Sequence, residues 1–355
     1  MVGQNYIRLL DNHPWFQVED VAASPRSAGK KYSNRVRKNW LMPGDVPSAV
    51  KDLVIRDVRD FDGTPEDVHC IFSAMDLPDK AETRNLEFEY AQAGYPVISN
   101  SSANRWTEDV PMIIPEINPQ HVDVIPIQQA NRNLPERGFV AVKPNCSIQS
   151  YLVTLVALEQ AGFLVDRVQV TTLQALSGAG LAGITSTDMQ ENVIPFIEGE
   201  EEKTEKEPLK ILGSLEHRGI INSERIKISA TCTRVPVIDG HMAFVHVGFK
   251  EDIPSLKQVK IIWENFKALP QEAKFPMAPD RPIVYFVEEN RPQPKLDRDL
   301  EKGMAVTVGR LAKDKFFDVR YVALSHNTVR GAAGGAILMA ELLVNKGYIH
   351  GEKIH

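Results

Sequence analysis

Alternation of strand and helix over the first hundred residues constrains this chain more than any other feature of its sequence. The runs DLVIRDV (52–58), VHCIFSAM (68–75) and YPVISN (95–100) are apolar and bounded by turn residues, as strands are. Between the last two, KAETRNLEFEYAQAG (80–94) carries a helical pattern that stops at Gly94. Residues 4–12 read as an opening helix and VEDVAAS (18–24) as an earlier strand. Strands alternating with helices make a parallel sheet. In such a sheet ligands sit beyond the carboxyl ends of the strands, which gathers Ser24, Ser73 and the Asn100-Ser101-Ser102 loop around one crevice. The polar cluster that follows the first strand holds Ser24, Arg26 and Ser27 within SPRSAGKK (24–31). A solvated basic loop is the bland reading. Its place at a strand end fits instead a site for an extra phosphate, such as the one NADP carries.

The stretch GFVAVKPNCSIQSYL (138–152) is where chemistry is expected. An apolar strand over 138–142 meets a Pro-Asn-Cys-Ser break, and a long helical pattern runs from Ile148 to Gly162. Cys146 therefore falls where a strand turns into a helix. A helix amino end lowers a thiol pKa from about 8.5 toward the range of a usable nucleophile. The competing reading is a buried structural thiol, since free cysteines are among the most buried residues; the polar, turn-like Pro144, Asn145 and Ser147 favour the nucleophile.

Beyond that helix, VDRVQVTTLQALSGAG (165–180) reads as a strand running into a glycine-rich turn with Gly178, Gly180 and Gly183. The charged run GEEEKTEKEPLK (199–210) reads as a solvated face. Strands follow at 225–237, 240–250, 304–313 and 316–325, with helices at 255–269 and 330–347. This half forms a second domain built on a mixed or antiparallel sheet with helices on one face. His241 lies between two of these strands, seven residues after Arg234, and is the best placed of the histidines to serve Cys146 as acid or base.

At 355 residues, with 43% hydrophobic and 25% charged, the chain has room for two domains and ordinary globular composition. A net charge of −6 argues against a nucleic-acid partner. No apolar run reaches the roughly 18–20 residues of a membrane span, and the first residues lack a secretion profile, so a cytoplasmic protein is expected. Cys70, Cys146 and Cys232 are spaced like neither a disulfide framework nor a zinc site, so no metal is expected.

In order along the chain, RSAGKKY (26–32), SNSSANRW (99–106), PNCS (144–147), QALSGAG (174–180), NVIPFIEGEEEK (192–203), TRVPVIDGH (233–241), RPQPKLDRD (291–299), GMAVTVGR (303–310) and NTVRGAAGGAIL (327–338) together resemble the aspartate-semialdehyde dehydrogenase family, in its archaeal and fungal branch. The resemblance implies an α/β chain with two parts. A Rossmann-like parallel dinucleotide-binding sheet would span 1–145, joined by the segment 327–355. An α+β catalytic and dimerisation domain with a mixed sheet would span 146–326. It implies interconversion of L-aspartate 4-semialdehyde plus phosphate and 4-aspartyl phosphate, with NADP, on the route to lysine, threonine and methionine.

Carried over residue by residue, Cys146 matches the nucleophile and His241 the acid–base group. Arg234 matches the partner of the substrate α-carboxylate, a bidentate role suited to Arg. Glu200 matches the holder of the substrate amine, and Lys203 with Arg105 the holders of phosphate. Asn145 and Gln174 match further substrate-side positions. Gly3, Ser24, Arg26, Ser27, Ser73, Ser177, Gly178 and Asn327 match cofactor-side ones. The family opens with a strand and a turn of the form G-x-T-G-x-V-G-Q, and Met1-Val2-Gly3-Gln4 aligns inside that turn, so a strand and leading glycines are expected ahead of Met1. Other departures are Lys143, Gln149-Ser150, Met242 and Lys295. An acyl-CoA reductase of the malonyl-CoA type, using the same Cys and His, is the alternative. A homodimer or homotetramer is expected.

Overall fold

The computed structural model describes residues 1–75, 77–180 and 186–351; Gly183 and residues 352–355 lie outside the described residues. The chain opens with helix α1 (Val2–Leu10), whose Tyr6, Ile7 and Leu10 are buried. Strand β1 (Ala22–Ala23) pairs in parallel with β2 (Arg56–Asp57). Strand β3 (Ile71–Ser73), helix α2 (Lys80–Gln92), strand β4 (Pro96–Ser99), helix α3 (Ile125–Arg132) and strand β5 (Phe139–Val142) follow. The last three strands form a parallel sheet in the order β3-β4-β5. Every residue of β4 and β5 is buried, as a parallel sheet covered on both faces requires. Glu87 of α2 ties that helix to the strand ends: its carboxyl accepts from Ser73 Oγ (2.8 Å), Ser99 Oγ (2.6 Å) and Asn104 Nδ2 (2.8 Å).

Two expectations change here. The strands at 18–24 and 52–58 shrink to a two-residue ladder separate from the main sheet, and a cavity of about 1490 Å³ lined by Val21, Ala23, Ile71 and Phe72, among others, lies between β1 and β3. Helix α3 was not expected in a stretch rich in proline. Pro126 stands in its first turn, where the missing N–H leaves no bond unmade.

The second half contributes helix α4 (Leu152–Gln160), strand β6 (Val165–Gln174), helix α5 (Glu200–Ile211), strands β7 (Lys227–Arg234) and β8 (His241–Phe249), helix α6 (Leu256–Asn265), and strands β9 (Ile283–Tyr285), β10 (Val306–Lys313) and β11 (Val319–Ser325). The sheet runs β9-β10-β11-β8-β6-β7, with parallel pairs at both edges and antiparallel pairs between them. It is the mixed sheet the sequence implied. Helix α6 starts on a capping box of Ser255 and Gln258, and Trp263 seats it: the indole is fully buried, donates to the Thr154 carbonyl at 3.0 Å and stands 4.8 Å from the Tyr321 ring. A short wide turn at Val329–Ala333 then leads into helix α7 (Gly334–Asn345), which returns to the first half. There Ile337, Leu338 and Leu342 share a core with Tyr6, Leu10, Ile98 and Phe139. Among the described residues no helix is long and apolar enough to cross a membrane.

Trp263→Ala removes a buried ring and a satisfied donor together. It is expected to lower unfolding free energy by about 3–5 kcal/mol, measured by urea denaturation at fixed protein concentration.

Candidate active site

Cys146 sits on the loop that leaves β5. Lys143 N–H donates to the Ser99 carbonyl (2.8 Å), which carries the strand direction one residue further. Asn145 Oδ1 then accepts from the Ser147 N–H (2.7 Å) and hydroxyl (2.8 Å), closing a tight side-chain turn around the cysteine. Next comes a single 3₁₀ turn, Ile148–Ser150, and α4 begins only at Leu152 after a break at Tyr151. Cys146 is therefore not in the first turn of the long helix, and the field of a helix end acts from further away than the sequence implied. The expected lowering of its pKa is not found. Burial pushes the thiol up and the Glu200 carboxylate adds to this, while Lys143, Arg105 and Arg234 oppose it. Behind the thiol lies Gly331, where a Cβ would come 2.8 Å from Cys146 Cβ; only glycine fits.

His241 opens β8 and places Nε2 3.3 Å from Cys146 Sγ. Its other nitrogen, Nδ1, accepts from the Ala175 N–H at 3.0 Å. A backbone N–H can donate only to an unprotonated Nδ1, so the neutral ring carries its hydrogen on Nε2 and presents it to sulfur. Burial, with the Arg234 charge second, lowers the ring pKa to about 3. Gly178 lies directly against this pair, since a Cβ there would come 2.9 Å from Arg234 Nη1 and 3.2 Å from the His241 ring. Asn327 closes the same corner by accepting from Gly240 N–H (2.8 Å) and donating to Ser177 Oγ (2.8 Å). Arg234 gives Nη1 to the Ala175 carbonyl (2.8 Å), and its buried Nε has no partner. An unpartnered guanidinium nitrogen beside a Cys–His pair is a ready anion contact.

The charged run expected to be solvated is helix α5, and one of its faces is buried. Glu200, Thr204, Glu207 and Ile211 recur at the helical period and all point inward. Glu200 accepts from Asn145 Nδ2 (3.1 Å), Gln174 Nε2 (3.1 Å) and Lys203 Nζ (2.9 Å). Burial alone would raise its pKa; these partners, Lys203 foremost, hold it below the usual carboxylate value. Glu207 accepts from Arg105 Nη1 (2.8 Å) and from the Asn145 N–H (2.5 Å). Arg105 also gives Nε to the Lys143 carbonyl (3.1 Å) and Nη2 to the Asn100 carbonyl (3.1 Å), so each of its nitrogens has an acceptor. Glu207 was missed by sequence reading. The spacing 200, 204, 207, 211 is the signal that could have found it.

Cys146, His241, Arg234, Glu200, Gln174, Asn145, Ser177, Gly178 and Asn327 thus form one connected group, with Lys203 at its rim and Arg105 beneath. The remaining predicted residues lie elsewhere. Gly3, Ser24 and Ser73 line the cavity between the two parallel ladders. Ser27 is buried and accepts from Arg35 Nε (2.9 Å), while Arg26 is exposed and its carbonyl holds Lys30 Nζ. Gly3 at the start of α1 and Ser24 at the end of β1 both border the cavity, and Arg26 and Lys30 lie on the loop that follows β1, a set that fits a dinucleotide bearing a further phosphate.

A parallel sheet whose last strand leads into a buried Cys–His pair is the plan of an aldehyde dehydrogenase that works through a thioester. Residues 1–125 match the family described as "Semialdehyde dehydrogenase, NAD binding domain" and residues 155–330 the one described as "Semialdehyde dehydrogenase, dimerisation domain". The chain is 44% identical to an aspartate-semialdehyde dehydrogenase of Archaeoglobus fulgidus, covering 98% of this chain and 96% of that one. It is 43% identical to an aspartate-semialdehyde dehydrogenase of Aspergillus fumigatus, covering 98% and 95%. The crystal structure of aspartate-semialdehyde dehydrogenase with NADP from Candida albicans superposes with a TM-score of 0.89 at 35% identity, covering 98% and 97%. The chain belongs to the aspartate-semialdehyde dehydrogenase family.

Nitrogen-15 spectra of the His241 ring are expected to show one protonated and one bare nitrogen from about pH 5 to pH 8, where a free imidazole changes charge. An imidazolium signal near about pH 6 would contradict the assignment of the ring as neutral.

Proposed function

We propose that the chain oxidises L-aspartate 4-semialdehyde with NADP and phosphate to 4-aspartyl phosphate, and catalyses the reverse, through a thioester on Cys146. It works on the route to lysine, threonine and methionine. The observation that carries this reading is the 3.3 Å approach of His241 Nε2 to Cys146 Sγ in a pocket that also holds Arg234 and Glu200. A cation and an anion near one nucleophile suit an α-amino acid, whose carboxylate and ammonium need one of each. The same set argues against the acyl-CoA alternative.

In the forward direction the Cys146 thiol first loses its proton to solvent, and the thiolate adds to the aldehyde carbon, forming the C–S bond as the carbonyl π pair moves onto oxygen. His241 donates its Nε2 hydrogen bond to that oxyanion, a role its fixed tautomer prepares. NADP, when bound, would accept the hydride that leaves carbon as the oxyanion collapses to the thioester. Phosphate oxygen then attacks the thioester and sulfur departs with its electron pair, which restores the thiolate; one proton is released overall. Arg234 holds the α-carboxylate and Glu200 the ammonium, with Asn145 and Gln174 fixing the Glu200 carboxylate. Lys203 and Arg105 hold phosphate, and Arg105 must trade one of its carbonyl acceptors to do so. Ser177, Gly178 and Asn327 shape the nicotinamide side, while Gly3, Ser24, Arg26, Ser27 and Ser73 take the pyrophosphate and adenosine end.

The division into a dinucleotide-binding part (1–145 with 327–355) and a catalytic part (146–326) follows from this reading. A homodimer or homotetramer through the mixed sheet fits the match to a dimerisation domain and the half-exposed Phe244 on β8. A cytoplasmic setting belongs to the same reading.

Absorbance at the reduced-nicotinamide band tests the reading directly. Wild-type enzyme should reduce NADP only with both semialdehyde and phosphate present, and Cys146→Ala should lower kcat by at least about a thousandfold. Turnover that survives in that variant would remove Cys146 from the reaction. Arg26→Ala should weaken NADP by about 1.5–3 kcal/mol, the worth of a charge-assisted hydrogen bond, and leave NAD nearly unchanged; equal losses with both cofactors would count against the phosphate role.

A further inference from the structure

Lys143 precedes the nucleophile by three residues and has no part in the chemistry above. Only 2% of it is exposed, its ammonium donates to the Pro144 carbonyl, and no carboxylate pairs with it among the described residues. Burying an ammonium against one neutral carbonyl costs several kcal/mol that a methionine of the same shape would not. An unneeded charge at such a place calls for a partner.

The geometry supplies one. Gly331 lies against Cys146, and Gly335, four residues on, lies against Lys143: a Cβ at Gly335 would come 3.5 Å from Lys143 Cδ. The loop thus lays Cys146 against the wide turn Val329–Ala333 and Lys143 against the first residues of α7 that follow it. Cys146 is faced by Lys143 of its own loop, Arg105 of the loop after β4, Glu200 of α5, Arg234 of β7 and His241 of β8. Lys143 in turn is faced by Arg105, Glu207 and Arg330 besides Cys146. Among these cations the others are committed. Arg105 has an acceptor on each nitrogen, Arg330 is held by Glu116 and the Met304 carbonyl, and Arg234 is aimed at substrate. His241 is kept neutral by the Ala175 N–H. Arg105 and Arg330 are paired with Glu207 and Glu116, so among the described residues Lys143 is the cation beside the sulfur that has neither a carboxylate partner nor a substrate role.

We propose that the Lys143 ammonium, rather than a His241 imidazolium, is the cation that balances the Cys146 thiolate, so that Lys143 is a positioning residue acting through the nucleophile. Burial brings the amine down to about 7, the Arg105 charge adds to this, and an ionised Cys146 draws it back up. Each charge therefore favours the other. The inference rests on Cys146 being the nucleophile, and that premise is tested separately by the turnover of Cys146→Ala.

The test is the pH dependence of iodoacetamide alkylation at Cys146, followed by mass spectrometry of its peptide in the full-length enzyme without substrate. In Lys143→Met and Lys143→Gln the inflection should rise by about one pH unit or more relative to wild type, the size of an opposite-charge effect at short range. Lys143→Gln keeps a donor for the Pro144 carbonyl, so the loop has its hydrogen bond in the absence of the charge. Lys143→Arg should hold the inflection near wild type. Both neutral variants should lose kcat with KM for semialdehyde within about threefold, as expected when substrate binding is intact. Neutral variants whose alkylation profile superimposes on wild type would overturn the proposal, as would an inflection that moves in His241→Gln but not in Lys143→Gln.

Discussion

The wholly buried Glu207 carboxylate holds the site together. It accepts one hydrogen bond from Arg105, on the loop after β4, and one from the Asn145 N–H, on the loop after β5. An ionised carboxylate in such a place is expensive unless every partner is present, and removal of one partner of a buried pair destabilises by about 3–5 kcal/mol. The pairing therefore fixes the distance between helix α5 of the second half and the two strand ends of the first. Glu200, two turns earlier on the same helix face, takes hold of the Asn145 side chain. Backbone and side chain of the residue before Cys146 are thus both gripped by one helix. The nucleophile is positioned across the seam between the two sheets, and neither sheet builds the site alone.

Burial then sets the electrostatics of the pair. It raises the thiol and lowers the imidazole, so both resting groups are neutral, and the hydrogen on Nε2 faces sulfur. The same shift links stability to pH. His241 falls from the ordinary 6.5 to about 3, so the unfolded chain takes up a proton between those values that the folded chain refuses. The contribution is fully present above about pH 6.5 and is lost as pH falls toward 3. A site of this kind is prepared for an anionic oxygen more than for a free thiolate, and it depends on nearby cations to generate the latter.

Much of this was legible in the sequence. The parallel strands at 68–75 and 95–100 and the mixed sheet of the second half follow from apolar periodicity, Cys146 and His241 from their places at strand ends, and Arg234 and Gln174 only from the resemblance to the family. What escaped did so for physical reasons. The run at 199–210 is charged at most positions, and composition alone makes it a solvated face; its inward residues are buried charges held by partners more than 50 residues away, which local pattern cannot reveal. The short break at Tyr151 that separates Cys146 from α4 leaves no mark in an apolar stretch. Ser24, Arg26 and Ser27 follow the end of a strand, but that strand is two residues long where the sequence pattern spans seven.

A single-turnover experiment without phosphate addresses the thioester on Cys146 most directly. Enzyme mixed with aspartate semialdehyde and excess NADP should give a burst of reduced nicotinamide equal to one per active site, then stop. Intact-mass and peptide analysis should locate the aspartyl group on Cys146, and added phosphate should release it and restart turnover. Steady reduction without phosphate, or an acyl group on any other residue, would contradict the account.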